Sequence, residues 1–271
     1  MTRLVAAQVK DLPDTLPEYD SCLRRQTGHT LKEIAAAASG LPWEEVGKRI
    51  SGTLVAVVPT TYGGGVIPGF AQAVRGIAAY LGFESLVTGR LNLAGLREAL
   101  ERKADIIAIA DDDDFLAVNT SSGRVVDNAA ATGRGYAAAM KLQQGCLKDR
   151  EVLVIGLGRV GRSAVETLKK FQARVVVYDI DARKRAFFEK DTSVLVAHDL
   201  EEALNQHYLI LDASPGAGII DIRHLKGESC VFAPGIPLGV TEAGAVFLGD
   251  RLVHDPLQIG VATMLVGALS P

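Results

Sequence analysis

The chain has 271 residues, of which 48% are hydrophobic and 23% are charged, and its formal net charge is −3. This composition is typical of an ordered globular α/β protein and excludes a disordered or collagen-like chain. The charge is small and negative, and Lys and Arg are spread along the chain, so nothing attracts it toward nucleic acid or an anionic membrane. We therefore expect neither partner.

Three cysteines, Cys22, Cys146 and Cys230, lie far apart and form no CxxC pair. This pattern predicts neither a disulfide framework nor a zinc site and is typical of the reducing cytoplasm. The five histidines form no HxxxH or HExxH motif, so we predict no metal site. The longest apolar stretch, residues 259–269, is too short to span a bilayer and is predicted to be a buried helix.

The first 50 residues carry apolar side chains at helical spacing, with breaks predicted at Pro13, Pro17 and Gly40. The pattern then changes to short strands that alternate with amphipathic helices, which is typical of a parallel βαβαβ unit covered on both faces. The predicted strands are residues 53–60, 84–89 and 104–111. We therefore predict an α/β fold whose N-terminal three-layer domain, residues 1–127, carries the substrate and the catalytic groups.

A second group of predicted strands begins at EVLVIG. Its members are residues 151–156, 174–179, 192–197, 208–213, 229–234 and 245–249. Six strands joined by short helices are what a Rossmann dinucleotide-binding domain requires. We assign this domain to residues 128–271, with residues 128–146 as a helix that bridges the two domains.

The sequence VLVIGLGRVG places Gly156, Gly158 and Gly161 in a G-x-G-x-x-G motif, directly after a strand and at the start of a helix. The first glycine permits a tight turn, the second lets the backbone approach a pyrophosphate, and the third lets the helix pack on the strand. Asp179 ends the next strand, where an acid accepts hydrogen bonds from the ribose hydroxyls and repels a 2′-phosphate. We therefore predict NAD as the cofactor; the alternative is a Rossmann-type fold that has lost its ligand.

The basic run Arg183, Lys184 and Arg185 follows the same strand end, where an arginine can accommodate the 2′-phosphate of NADP. We interpret the run instead as a solvated helix face, which leaves NAD as the expected cofactor. Two later loops, residues 212–218 and 233–239, follow strands of the same sheet and are predicted to line the nicotinamide end.

Four consecutive aspartates, Asp111 to Asp114, end the apolar strand of the first unit. Like charges repel, but the carboxyl end of a parallel strand is where open α/β sheets bind ligands, so the run favours a receptor for a cation. An exposed turn with a helix N-cap is the alternative. We expect Asp111, nearest the strand, to point into a cleft. The glycine-rich loop at residues 60–70 is expected to flank it, with a flexible surface turn as the alternative.

Taken together, these motifs resemble the pyrrolysine synthase family. The resemblance extends over the whole chain and is carried by VIPGFAQAV (66–74), IADDDDF (109–115), GRVVDNAAATGRGY (123–136) and VLVIGLGRVG (152–161). The last two blocks also resemble the NAD-binding subunit of dipicolinate synthase and related amino-acid dehydrogenases. The first two blocks separate the two interpretations.

The resemblance implies a two-domain, NAD-dependent enzyme that oxidises the terminal amine of 3-methylornithyl-N6-L-lysine. Ammonia is lost and the α-amine closes the pyrroline ring of L-pyrrolysine. The substrate carries several ammonium groups, which gives the aspartate run a cationic partner. A base must take a proton from the amine before hydride leaves, and the resemblance assigns this role to Asp111.

The predicted substrate-binding residues are Thr61, Tyr62, Phe70, Asp112 and Asn128. The predicted cofactor-binding residues are Gly156, Gly158, Arg159, Val160, Gly161, Asp179, Ile180, Ala213, Ser214, Pro215 and Pro234. The expected partner is a small cationic, dipeptide-like substrate, and a homodimer is left open. Tyr62 stands where the family pattern has a small polar residue.

The sequence alone is compatible with two other functions. Another two-domain Rossmann dehydrogenase, of dipicolinate-synthase or methylene-tetrahydrofolate-dehydrogenase type, would share the glycine motif, but its anionic substrate conflicts with the aspartate run. A non-catalytic NAD-sensing module would not need an acidic, glycine-rich second cleft.

Overall fold

The computed structural model of the protein describes residues 4–62 and 65–270. The chain divides into two compact units. Unit 1 takes in the described residues of Met1–Ser21, Thr30–Ala131 and Pro256–Pro271, and unit 2 takes in Cys22–His29 and Thr132–Asp255.

Four helices come first, and strands and helices then follow each other as the α/β prediction requires, except that the third, fourth and fifth strands are consecutive. The helices are α1 (Ala6–Val9), α2 (Leu12–Thr27), α3 (Leu31–Ser39), α4 (Trp43–Ile50), α5 (Phe70–Leu81), α6 (Asn92–Glu101), α7 (Asn128–Gln144), α8 (Arg159–Lys170), α9 (Ala182–Phe188), α10 (Leu200–Gln206), α11 (Glu242–Leu248) and α12 (Gln258–Gly267). The strands are β1 (Leu54–Val58), β2 (Glu84–Val87), β3 (Ile106–Ala110), β4 (Phe115–Asn119), β5 (Val125–Asp127), β6 (Glu151–Ile155), β7 (Arg174–Tyr178), β8 (Val194–Val196), β9 (Leu209–Asp212), β10 (Cys230–Phe232) and β11 (Leu252–Val253).

The sheet of unit 1 has the strand order β2-β1-β3-β4-β5. Its first three strands are parallel, so the predicted βαβαβ unit is confirmed. Strands β4 and β5 add two antiparallel neighbours that the sequence analysis did not predict. The sheet is therefore mixed, and the chain turns back immediately after β3.

Helix α12 forms part of the core of unit 1. All ten of its residues are buried, which confirms the predicted buried helix, and it packs against α3, α5, β4 and β5. The sequence prediction had instead placed this segment in the second domain, because a continuous apolar run does not show which core it joins. None of the helices in the described ranges is long and apolar enough to cross a bilayer.

The sheet of unit 2 has the order β11-β10-β9-β6-β7-β8, and all of its neighbouring strands are parallel. This arrangement confirms the predicted Rossmann fold. The predicted strand at residues 245–249 is wrong, because α11 covers most of that segment and β11 is the sixth strand. The Thr241 hydroxyl accepts a hydrogen bond from the Gly244 N–H and caps this helix, which the apolar sequence AVFLG did not reveal.

Two predicted helix breaks are also wrong. Pro13 and Pro17 both lie inside α2, whereas Gly40 ends α3 in the left-handed region at φ 67°. Pro13 sits in the first turn, where a missing N–H costs nothing. Pro17 gives up only the one bond that its N–H would have donated to the Pro13 carbonyl.

Candidate active site

The glycine motif of unit 2 is built for close backbone approach. Gly156 follows β6 at φ 87°, and a Cβ there would lie 2.7 Å from the Ser214 nitrogen. A Cβ on Gly161 would overlap the carbonyl oxygen of Gly156, whereas a Cβ on Gly158 would meet nothing within 4 Å. Gly156 and Gly161 are therefore required by packing, and Gly158 faces open space. This is the space that a pyrophosphate needs, so the motif fits NAD.

Helix α8 follows the glycine motif, and its first three N–H groups make no hydrogen bond within the helix. Gly158 is the N-cap of α8, and the first helical bond runs from the Arg162 N–H to the Gly158 carbonyl at 3.0 Å. The N–H groups of Arg159, Val160 and Gly161 therefore precede the first helical bond. Together with the helix dipole they favour an anion at this point.

Asp179 is buried immediately after β7. Its Oδ2 accepts a hydrogen bond from the Leu157 N–H at 2.6 Å, and its Oδ1 accepts one from the Asp181 N–H at 2.8 Å. Burial alone would raise the pKa of Asp179, but these hydrogen bonds and the nearby Lys184 ammonium outweigh it and hold the pKa below its ordinary value. Asp179 is therefore ionised and joins the strand end to the glycine loop. Ile180, beside it, is 89% exposed.

The interpretation of the basic run as a solvated helix face is incomplete, because two of its three residues also contact the end of β7. The Lys184 Nζ lies 3.4 Å from the Asp179 Oδ2. The Arg185 guanidinium lies over the Tyr178 ring, 5.8 Å from its centroid, and donates hydrogen bonds to the carbonyls of Asp179 and Ile180. Helix α9 turns these two side chains back onto the end of β7, which a run of charges in the sequence does not show.

The loops predicted to line the nicotinamide end lie at the carboxyl ends of β9 and β10. The Ala213 N–H donates to the Ile155 carbonyl at 2.8 Å, and a Cβ on Gly235 would overlap the Ser214 carbonyl. Pro215 is exposed and Pro234 is half-buried. The two loops are thus packed against each other, on the same sheet edge as the glycine motif.

Sequence reasoning overlooked Asp212, the last residue of β9. Its side chain is fully buried, and its Oδ1 accepts a hydrogen bond from the Ser214 N–H at 3.0 Å. Within the described part of the chain, Oδ2 has no hydrogen-bond partner, and it occupies the space that a Cβ on Gly239 would need. Burial raises the pKa of Asp212 to about 6. The signal was available in the sequence, because an acid ends the apolar strand YLILD.

Replacing Asp212 with asparagine is expected to change how stability depends on pH. Because folding raises the pKa of Asp212, this group contributes stability that is present below the unfolded pKa and is lost as the pH rises through about 6. An asparagine does not titrate, so the variant should gain up to about 3 kcal/mol relative to the parent between pH 4 and pH 7. Urea unfolding of both proteins across this range measures the difference, and a pH-independent difference would contradict the assignment.

The aspartate run forms the turn of a hairpin. Strands β3 and β4 pair antiparallel from Ile106↔Asn119 to Ala110↔Phe115, and Asp111 to Asp114 connect them. All four aspartates are exposed in this turn, and a strand rather than a helix follows them, so the predicted N-cap is wrong. In the ranges 4–62 and 65–270, no three His, Cys, Asp or Glu residues form a group that could hold a metal ion.

Asp111 organises this turn. Its Oδ1 accepts hydrogen bonds from the Asp114 N–H at 2.8 Å and the Asp113 N–H at 2.9 Å, and its own N–H donates to the Asp114 carbonyl at 2.8 Å. The N–H of Asp114 and then that of Asp113 hold the pKa of Asp111 below its ordinary value. Its Oδ2 accepts no hydrogen bond from the described residues. Asp111 thus presents an ionised carboxylate at the carboxyl end of a parallel strand.

The loop after β1 is tied to this turn. The Thr60 hydroxyl donates to the Ala110 carbonyl, and the Phe70 ring lies edge-on to the Phe115 ring with centroids 5.3 Å apart. The Thr61 N–H donates to the Asn92 Oδ1 at 2.8 Å. Gly63 and Gly64 of this loop lie outside the described residues.

The remaining predicted substrate contacts lie on the same sheet edge. Tyr62 is 55% exposed in the loop after β1, and Asp112 is exposed in the hairpin turn. Asn128 is buried and begins α7, one residue beyond the Asp127↔Leu116 pair. The fold therefore brings all five predicted substrate contacts and Asp111 to one edge of the unit 1 sheet.

Comparison with known proteins decides the family. Two curated relatives, both named pyrrolysine synthase, align over almost the whole chain. The protein of Methanosarcina acetivorans is 33% identical over 99% of this chain and 100% of its own length. That of Methanosarcina barkeri is 34% identical over 94% of this chain and 93% of its own length. The chain belongs to the pyrrolysine synthase family.

Two family patterns match overlapping parts of this pyrrolysine synthase family member. The family described as "Pyrrolysine biosynthesis protein PylD, N-terminal domain" matches residues 8–126, and "D-isomer specific 2-hydroxyacid dehydrogenase, NAD binding domain" matches residues 116–216. Together with the family membership, the second match makes the chain an NAD-dependent oxidoreductase with NAD as its cofactor.

Solved structures support the fold alone. Shikimate dehydrogenase from Aquifex aeolicus has a TM-score of 0.53 at 15% identity, over 79% of this chain and 89% of that one. Quinate dehydrogenase from Corynebacterium glutamicum also has a TM-score of 0.53, at 13% identity, over 79% of this chain and 93% of that one. Both are dehydrogenases with an α/β architecture similar to the one described above.

Proposed function

We propose that this protein oxidises the terminal amine of 3-methylornithyl-N6-L-lysine with NAD and so forms L-pyrrolysine. The proposal is supported by the exposed turn of aspartates, in which Asp111 is ionised, at a sheet edge where α/β proteins bind ligands. It is also supported by the membership of the chain in the pyrrolysine synthase family. A substrate with several ammonium groups is the ligand that such a turn would recognise.

The balance of the reaction defines what the protein must do. The carbon bearing the terminal amine loses a hydride, and the amine loses a proton. The α-amine then attacks the resulting C=N carbon, a ring C=N bond forms, and ammonia leaves. NAD, when bound, accepts the hydride. The chain must therefore bind a cation, remove a proton and hold the chain of the substrate in a bent conformation.

Asp111 is the proposed proton acceptor. Its Oδ1 is committed to the Asp113 and Asp114 N–H groups, whereas its Oδ2 carries no hydrogen bond from the described residues. A carboxylate can take the ammonium proton when its oxygen lies within hydrogen-bond reach of the amine. The backbone hydrogen bonds to Oδ1 orient the carboxylate before the substrate arrives.

The lowered pKa of Asp111 also suits a second role, the binding of an ammonium group. A carboxylate that holds protons weakly is a poor general base near neutral pH but a permanently charged receptor for an ammonium group. At about 4 Å and an effective dielectric near 20, one such pair is worth roughly 4 kcal/mol before desolvation is subtracted. The two roles predict different effects of an Asp111 substitution on kcat and KM.

Incubation of the full chain with NAD and 3-methylornithyl-N6-L-lysine tests the proposed function. NADH and ammonia should appear in equal amounts, together with a product of pyrrolysine mass. Free lysine and free ornithine serve as controls, because neither carries the complete set of charges. Absence of NADH with the dipeptide, in a protein shown to bind NAD, would overturn the proposed substrate.

A further inference from the structure

The acid predicted to select NAD is already paired with a cation. Both oxygens of Asp179 accept backbone hydrogen bonds, from Leu157 at 2.6 Å and from Asp181 at 2.8 Å. In addition, the Lys184 Nζ lies 3.4 Å from Oδ2. A ribose hydroxyl that donates to Asp179 must therefore share this carboxylate with an ammonium group.

The two members of this ion pair differ in their freedom to move. The Asp179 side chain is 6% exposed and is held by the strand end and the glycine loop, whereas the Lys184 side chain is 41% exposed and has a flexible stem. Lys184 can therefore reach outward to a ligand while Asp179 stays in place. A lysine ammonium binds phosphate as a point charge, without the geometric demands of an arginine.

A second cation stands at the same strand end but is differently placed. The Arg185 guanidinium is held by the carbonyls of Asp179 and Ile180 and lies over the Tyr178 ring. Arg183 is exposed, and its N–H donates to the Asp181 carboxylate at 2.9 Å. Of the three basic residues, only Lys184 contacts the carboxylate that would otherwise repel a 2′-phosphate.

We propose that Lys184 is a specificity-determining residue of the dinucleotide site, which neutralises Asp179 and gives the 2′-phosphate of NADP a cation to bind. The protein then prefers NAD without excluding NADP. The proposal rests on the cofactor site proposed around Asp179. It differs from a purely structural role, in which Lys184 would only tie α9 to the end of β7.

Three variants of the full chain separate these roles. Lys184→Gln removes the charge but keeps a polar side chain of similar length, Lys184→Arg keeps the charge, and Arg183→Gln is the matched control one residue away. The measurement is the dissociation constant of NAD and of NADP for each protein, by isothermal titration calorimetry. In Lys184→Gln the ratio of the NADP constant to the NAD constant should rise about five-fold or more, the scale of one lost charge pair.

Lys184→Arg should keep this ratio near that of the parent, and Arg183→Gln should change it less than two-fold. The effect of Lys184→Gln should shrink at high salt, because added ions screen an ammonium–phosphate contact. A purely structural role would weaken both cofactors equally and leave the ratio unchanged, which would overturn the proposal.

The same titrations show whether only the role of Lys184 fails or the cofactor site around Asp179 fails as well. If NAD does not bind the parent, the site around Asp179 and the role of Lys184 both fall. If NAD binds the parent but Lys184→Gln and Arg183→Gln give the same ratio, only the role of Lys184 is wrong.

Discussion

Asp111→Asn is expected to lower turnover by about 10² or more, the usual scale for a lost general base. The amide oxygen of asparagine can still accept the N–H groups of Asp113 and Asp114, so the hairpin turn should keep its shape. NAD binding should be unchanged, because the glycine motif belongs to the other unit. Steady-state production of NADH measures the loss, and thermal unfolding checks that the fold is intact.

Asp114→Asn is the matched control for this change. Asp114 belongs to the same turn and carries the same charge, but it holds the turn through its backbone N–H and carbonyl, which the substitution leaves in place. We expect a loss of only a few-fold. Near-parental turnover in Asp111→Asn, or a greater loss in Asp114→Asn, would show that Asp111 is not the base.

The division of the effect between kcat and KM distinguishes the two roles of Asp111. A lost base lowers kcat, whereas a lost receptor for an ammonium group raises KM for the dipeptide with less change in kcat. Because the hydrogen bonds from Asp114 and Asp113 lower its pKa, Asp111 should stay ionised until the pH falls below the ordinary aspartate range. Loss of activity through protonation of Asp111 is therefore expected at a lower pH than for an ordinary aspartate, under either role.

Gly239→Ala is expected to destabilise the protein by about 3 kcal/mol and to raise KM for NAD. The added Cβ would overlap the Oδ2 of Asp212, whose Oδ1 and carbonyl hold the N–H groups of Ser214 and Gly235. Moving the carboxylate therefore disturbs both loops predicted to line the nicotinamide end. Urea unfolding and the kinetic constants for NAD measure the two effects.

Two further variants make this prediction specific. Gly227→Ala in the same unit is the control, because a Cβ there would meet nothing within 4 Å. In the double variant Asp212→Ala with Gly239→Ala the overlap is gone, so its loss of stability should be smaller than the sum of the two single losses. Strictly additive losses would mean that the Asp212 carboxylate and the Cβ added at position 239 do not compete for the same space.

Local patterns predicted much of the fold because they depend on neighbours in the sequence. The apolar run of β3 and the glycine spacing of VLVIGLGRVG each specify their own backbone, and both were predicted. The hairpin at Asp111 to Asp114 was not predicted, because an aspartate run can begin a turn or a helix and does not show that the chain returns as an antiparallel strand. The sequence AVFLG has the composition of a strand, and the Thr241 cap that begins its helix lies outside that segment.

The candidate site likewise contains residues that the sequence indicated and residues that it did not. Gly156, Asp179 and Asp111 were found because a motif or a strand end pointed to them. Asp212 also ends an apolar strand, but its contact with the space beside Gly239 exists only in the folded chain, as does the contact of the Lys184 ammonium with the end of β7. Neither kind of contact has a fixed spacing in the sequence, so no periodicity could reveal it.

The position of α12 has a consequence for the order in which the protein can fold during synthesis. Most of unit 1 lies before Thr132 and leaves the ribosome first, yet this unit lacks its fully buried helix α12 until residues 258–267 have been made. Unit 2 is complete in sequence before that point. The nascent chain should therefore form its nucleotide-binding unit before its first unit can close its core. Until then the surfaces of α3 and α5 that α12 covers stay open to chaperones and to aggregation.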